Sequence, residues 1–372
     1  MLMGKQKAQE LLLDMESLFA ELLNWLEGQY DSASGGFYYA RSSRLLQGRR
    51  PDIESTAQAL NMLERSGLLM VMPERIKANM LHFFRSRQDE MSGYFYDDDP
   101  AMREDEVMVA RALSYSTNAV RKLGGRPAYP LPKERESAPG YMQSADSYSR
   151  WLRGVDLSNS WRGCDRLACS HVYLQPLEPP VRETYTHTAF QFFEEIQDQE
   201  SGLWGEGSMY VRISGTFKLH TFYGAFQRPM PRRDRMYASL LTGLRHEQAS
   251  DMCYIRNPIH LLSYIQPPIS EEELIFILRT TLLNLSKLLR MDGGFSRELA
   301  RSPSAPNIAQ IKDGPDYPDR PKPVYLSEGK AEGDMNAATQ ALLIRSLCHK
   351  LAGTEPPSLR EKQLSSFYDS FK

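Results

Sequence analysis

Acids and tyrosines gather just ahead of apolar segments in this chain. Asp52 and Glu54 precede one such segment. Asp97, Asp98, Asp99, Glu104 and Asp105 precede the next, Glu206 a third, and Glu332 and Asp334 the last. Tyr38, Tyr39, Tyr94, Tyr96 and Tyr210 lie in the same stretches. Two carboxylates whose pKa values are pushed apart can serve as general acid and general base. Rings among them suit stacking on sugar faces or shielding of cations. Asp52 with Asp334 is the leading catalytic pair, and Asp97 and Glu206 are further acids. Each Asp has a second reading as a helix cap, because Asp is a preferred capping residue.

Residues 215–223 read Gly-Thr-Phe-Lys-Leu-His-Thr-Phe-Tyr and place Lys218 and His220 on an otherwise apolar helix. A Lys with a His in a cavity suits an anionic ligand, such as a uronate or a diphosphate. The competing reading has Lys218 snorkelling to solvent. Tyr185 and His187 follow Arg182. That Arg/Tyr/His set is the kind used by β-eliminating polysaccharide lyases. Tyr38, Tyr96, Trp204 and Tyr210 complete the substrate-binding candidates.

Metal signals are weak. Cys164, Cys169 and His171 have a Cys-x4-Cys-x-His spacing that fits no zinc finger. No Walker loop, dinucleotide fingerprint or nucleophile elbow occurs.

The elements that must position these groups are announced by a repeat. Residues 82–95 and 191–204 share a paired Phe, then Gln-Asp, then Ser-Gly, then an aromatic. The Gly-aromatic turn recurs at Gly35, Gly93, Gly202 and Gly293. The spacing leaves room for two degenerate units, at 145–173 and 236–265, which makes six. A period of roughly 45–58 residues belongs to helical-pair repeats. The second-helix starts also repeat: Asp52, Gln58, Ala59 and Leu60 fall in the same places as Asp334, Gln340, Ala341 and Leu342. Strand signal is confined to residues 209–213, which alternate over a short run. Pro-rich connections fall between the helices, the longest at 302–323. A loop of that length reads as a rim or lid.

These units resemble the Gln-Trp repeats of squalene cyclases, and through them the terpenoid cyclase and protein prenyltransferase α/α-toroid superfamily. Gln197, Gly202 and Trp204 match best; Gln88 and Gly93 match with Phe95 in place of Trp. The resemblance implies an all-α (α/α)6 toroid with inner and outer helices around one cavity. It does not bring the family's chemistry. Class II terpene cyclases protonate through Asp-x-Asp-Asp, but Asp97-Asp98-Asp99 is flanked by Tyr96 and Pro100. A diphosphate-ionising Asp-Asp-x-x-Asp is broken by Ala101 and Met102. Asp251 and Cys253 resemble the Asp-x-Cys zinc pair of prenyltransferases. The next His, His260, is too close to be the third ligand, and His349 sits inside a helix.

Composition bounds the rest. The chain has 372 residues with 45 basic and 47 acidic side chains, so no charge excess points to nucleic acid. Charges interrupt the first 26 residues too often for a secretory signal. No window reaches the ~18 apolar residues of a membrane span. Four cysteines are not a disulfide framework and suit a reducing cytoplasm. The expectation is one domain over residues 1–372 with a polar cavity acting on a carbohydrate as a glycoside hydrolase or lyase, with no cofactor. The alternatives are an isoprenoid cyclase or prenyltransferase, and a non-catalytic binding toroid. The partner is a small molecule or an oligosaccharide.

Overall fold

The computed structural model describes residues 2–45, 48–132, 139–309, 321–359 and 367–371. Among these, the regular elements are helices, and β pairing is limited to isolated bridges. The all-α expectation holds for the described residues. In chain order the helices are α1 (Leu2–Ser17), α2 (Leu22–Glu27), α3 (Arg41–Leu45), α4 (Ile53–Arg65), α5 (Glu74–Arg85), α6 (Ala101–Glu104), α7 (Glu106–Lys122), α8 (Ala145–Gly154), α9 (Ser160–Cys169), α10 (His171–Leu174), α11 (Pro179–Ile196), α12 (Met209–Ala225), α13 (Arg233–His246), α14 (Met252–Ile265), α15 (Glu271–Leu288) and α16 (Met335–Leu351). Part of the 302–323 loop, residues 310–320, lies outside the described residues.

The alternating run 209–213 is the first turn of α12 rather than a strand. Two groups supply what a helix start lacks. Ser208 Oγ accepts the Val211 N–H, and the Glu247 carboxylate accepts the N–H groups of Met209 and Tyr210 at 2.9 and 3.0 Å. Alternation arises because α12 packs against α9 on one side and α14 on the other, so more than one face is apolar.

Packing among α4, α7, α9, α12, α14 and α16 follows that order, and α16 returns to α4. Each of these six helices starts at a capping side chain: Asp52, Asp105, Asn159, Ser208, Asp251 and Asp334. Their starts are also tied to one another. Asp97 accepts the Ile53 N–H, Arg162 pairs with Asp105, Ser160 N–H donates to the Glu206 carbonyl, and Asn336 donates to Glu54. Arg297 joins Asp251 through its side chain and Asp334 through its backbone N–H. The helix starts therefore share one end of the assembly. The other long helices flank this set: α1 lies on α15 and α16, α5 on α7, α8 on α11, and α13 on α14.

The repeated turns make repeated bonds. Gln88 Nε2 donates to the carbonyls of Gly93 (3.0 Å) and Tyr129 (2.9 Å). Gln197 Nε2 does the same to Gly202 (2.8 Å) and Pro231 (3.0 Å). Each Gln thus fastens its turn to the chain that follows. Asp89 accepts from both N–H and O–H of Ser92, Asp198 from Ser201, and Asp31 from Ser34. The unit at Gly35 therefore keeps more of the pattern than its glycine and ring.

Gly93 needs to be glycine twice over. Its φ is +77°, and an added Cβ would lie 2.2 Å from the Pro130 carbonyl oxygen. Gly124 has φ +73° but no atom nearer than 4.0 Å. Gly124→Ala is expected to cost about 1–2 kcal/mol from the left-handed backbone alone. Gly93→Ala is expected to cost more, because the clash is with backbone. Urea denaturation of the two variants side by side separates the terms; equal losses would mean that the turn shifts freely.

Candidate active site

A cavity of about 300 Å³ opens among the six capped helices. That lies at the small end of ligand pockets, roughly 300–1,000 Å³. Its wall follows a rule of position. Gln58, Arg111, Asp165 and Gln340 each stand six residues after the cap of α4, α7, α9 and α16, and all four face the cavity. Arg256 stands five after the cap of α14 and Lys218 ten after that of α12. Trp161, Phe217 and Tyr115 supply ring surface, and Met102, Met108, Val324 and Leu326 supply aliphatic surface.

Charges inside the cavity are arranged in a network. Asp165 accepts from Arg111 at 2.5 Å and from Lys218 at 3.1 Å. Burial would raise the Asp165 carboxyl, but the two cations outweigh it and hold it below its usual range. Burial, with Arg111 beside it, lowers Lys218 to about 8. Lys218 also lies 5.4 Å from the Trp161 ring centre, and the Arg256 guanidinium lies 3.8 Å over Phe217. Arg256 donates to Gln340 (3.2 Å), Gln340 to Asn336 (2.6 Å), and Asn336 to Glu54 (3.3 Å).

At the helix-start end of the cavity sits an acid pair. Asp52 Oδ1 accepts the Ser55 N–H at 2.8 Å, while Oδ2 is buried without a hydrogen-bond partner among the described residues. Asp97 accepts the Ile53 N–H at 3.0 and 3.1 Å and pairs with Arg87 at 3.3 Å. Burial raises both carboxyls above their usual range, and the Asp52 charge raises Asp97 further. Such a pair titrates as a unit and retains a proton well above the ordinary carboxylate range. Asp52 faces the cavity; Asp97 faces a neighbouring groove that Asp52, Met102, Val324 and Leu326 also line.

A solved structure of a variant of the type II terpene cyclase MstE from Scytonema, bound to its substrate geranylgeranyl dihydroxybenzoate, is similar over 93% of this chain and 99% of that one. The identity is 14% and the TM-score 0.52. This chain has the fold of a type II terpene cyclase. A second MstE structure, bound to the product merosterolic acid A, covers the same shares at 12% identity and a TM-score of 0.46. No family model and no curated protein matches the chain.

Within this terpene cyclase fold the sequence-derived candidates separate. Asp52 and Lys218 line the cavity, and Asp97 stands behind Asp52. Asp334 is fully buried outside it. One oxygen caps α16 and the other accepts from Arg297 N–H and Ser302 Oγ, so it does not oppose Asp52. Burial raises it to about 6. Glu206 is exposed in a surface groove with Asp198 and Arg212. His220 is turned toward the Phe217 carbonyl and the His260 and Tyr264 rings, and burial lowers it to about 4, so it is neutral near pH 7.

The aromatic candidates divide similarly. Trp204 is in the core, its Nε1 donating to the Phe193 carbonyl at 2.7 Å. Tyr210 stacks on Tyr254. Tyr185 donates to the Met142 carbonyl, and His187 is exposed on α11. Tyr38 lines a surface groove with Arg50 and Asp98, and Tyr96 lies under Arg103. Asp251 caps α14 and pairs with Arg297 at 3.1 Å. Cys253 lines the cavity, but among the described residues no three ligand-type side chains converge on a metal position. Missed by the sequence reading were Arg111, Asp165, Arg256, Trp161, Phe217 and Tyr115. The cap-plus-six rule would have found two of the charged ones.

Proposed function

We propose that this chain is an isoprenoid cyclase-type enzyme in which the Asp52–Asp97 pair protonates an alkene of a small apolar substrate. The six capped helices and their flanking partners are read as six hairpins of a closed (α/α)6 toroid in one domain. The observation that carries the reading is the Asp52 carboxyl: it is buried at the cavity wall, belongs to a coupled pair with Asp97 that keeps a proton above the usual carboxylate range, and among the described residues has one oxygen with no hydrogen-bond partner. A general acid needs that combination of reach and retained proton. The acid here is divided between two successive units, which accounts for the missing Asp-x-Asp-Asp spacing. The terpene cyclase fold favours this reading over glycoside cleavage, as does the position of Asp334, whose two oxygens are both engaged away from the cavity. Ring faces of Trp161, Phe217 and Tyr115 suit a developing carbocation.

The test is incubation in D2O with a panel of isoprenoid substrates, including the geranylgeranyl dihydroxybenzoate bound by the Scytonema enzyme. Protonation-initiated cyclisation places one solvent deuterium on carbon, read by mass spectrometry of the product. Cyclised product without deuterium, or no product from any member of the panel, would defeat the reading.

A further inference from the structure

Among the described residues, Lys218 is the only lysine on the cavity wall. The carboxylate beside it, Asp165 at 3.1 Å, is shared with Arg111, which stands closer at 2.5 Å. A guanidinium keeps its charge at any ordinary pH. Asp165 therefore retains a cationic partner whether or not Lys218 carries a proton. Burial opposes the charge on Lys218 most strongly, and Arg111 and Arg256 oppose it further. Together they bring the amine down to about 8, so that a useful share of it is neutral near pH 7. Desolvation beside fixed cations is how a protein turns a lysine into a nucleophile.

The amine is also within reach of a ligand. Thr221, one turn further along α12, lines the cavity and is exposed, whereas Asp52 is buried. The cavity therefore meets solvent at the Lys218 end. Lys218 Nζ lies 5.4 Å from the Trp161 ring centre, and Phe217 stands next to it in the chain and in the wall. These rings offer apolar surface to the body of a ligand whose reactive end meets the amine. We infer that Lys218 is a covalent site, whose Nζ captures an aldehyde on an otherwise apolar ligand as an imine. The nitrogen lone pair forms an N–C bond to the carbonyl carbon, and the C=O π pair moves to oxygen. The two hydrogens of the nitrogen then leave with that oxygen as water, and a C=N bond remains. Nothing is oxidised or reduced in the capture. When the imine takes up a proton, its charge replaces the ammonium beside Asp165. This site rests on the cavity admitting an apolar ligand from its open end, and not on protonation by Asp52.

The experiment is reductive trapping, independent of turnover. The full chain is incubated at pH 7 with citral, farnesal or cinnamaldehyde and sodium cyanoborohydride, and each labelled lysine is located by peptide mass spectrometry. With at least one aldehyde, Lys218 is expected to gain the mass of the aldehyde less its oxygen. It should do so at least about tenfold faster than the exposed Lys5 and Lys287, whose amines titrate near ~10.4 in the absence of such neighbours. Lys218→Arg keeps a cation beside Asp165 and should lose the label. If Lys218 of the wild-type chain is labelled no faster than the exposed lysines by all three aldehydes, the site is overturned, however the variant folds. A labelled Lys218 in a chain that places no deuterium on carbon keeps the imine site and loses the acid. Deuterated product from a chain whose Lys218 stays unlabelled does the reverse.

Discussion

Asp52→Asn is expected to abolish turnover and leave the fold intact. Asn is as good a helix cap as Asp, and its side-chain oxygen can accept the Ser55 N–H as Asp52 does. What the substitution removes is a transferable proton. Loss of a positioned general acid lowers rates by roughly 10²–10⁴-fold. Stability should move the other way. Burial raises the folded pKa of Asp52 above its unfolded value of ~3.9. Its favourable contribution is therefore complete below about pH 4 and is lost as pH rises through the raised value. The Asn variant has no such loss, and Asp97 beside Arg87 ionises more easily without the Asp52 charge. Relative to wild type, the variant should gain stability between about pH 4 and neutrality. Thermal unfolding at both ends of that window, with product assays at neutral pH, checks both halves. A variant that unfolds early, or one that still turns over, removes Asp52 from the mechanism.

The contrast with Asp334 explains why the sequence was only half legible here. Asp52 and Asp334 occupy the same register, each three residues before the N–H it caps and six before a cavity glutamine. Local pattern treats them as equivalents, and as caps they are. What separates them is the second oxygen. In Asp334 it is consumed by Ser302 and the Arg297 N–H, both brought in by the loop after the fourth Gly-aromatic turn. In Asp52 the second oxygen has no hydrogen-bond partner among the described residues. No spacing rule carries that difference, because the partners come from far along the chain.

The helical repeat was legible because it is built from local bonds. Gln to Gly carbonyl, Asp to Ser, and a glycine at positive φ all act within about six residues, so their residue types recur visibly. Arg111, Asp165 and Arg256 were not legible, since a single charge in an apolar helix is read equally well as a snorkelling surface residue. Only the register from each cap tells which way it points. The Arg182, Tyr185 and His187 set shows the reverse error. Its composition suggested a site, but α11 is a flanking helix, and its residues meet the loop at Met142 and solvent.

The second large effect is expected at Trp204, on stability rather than chemistry. Its ring is completely buried, its Nε1 donates to the Phe193 carbonyl at 2.7 Å, and its own carbonyl accepts from Ser160 Oγ at 2.5 Å. The turn therefore seats three elements: the end of α11, the start of α9, and α12, which carries Phe217 and Lys218. Trp204→Ala should cost about 3–5 kcal/mol through the cavity it leaves. Trp204→Phe should cost only about 1–3 kcal/mol, chiefly from the Phe193 carbonyl left without its donor. Phe95 fills the matching slot in the turn at Gly93 and is equally buried, so a Phe ring fits this geometry. Urea unfolding of both variants, with turnover of the folded protein measured beside it, separates packing from seating. If the Phe variant loses as much as the Ala variant, the carbonyl bond rather than the ring holds the turn. If Trp204→Ala unfolds more easily yet turns over as fast as wild type, α12 keeps its position without the ring, and the repeat stabilises the cavity wall without setting its geometry.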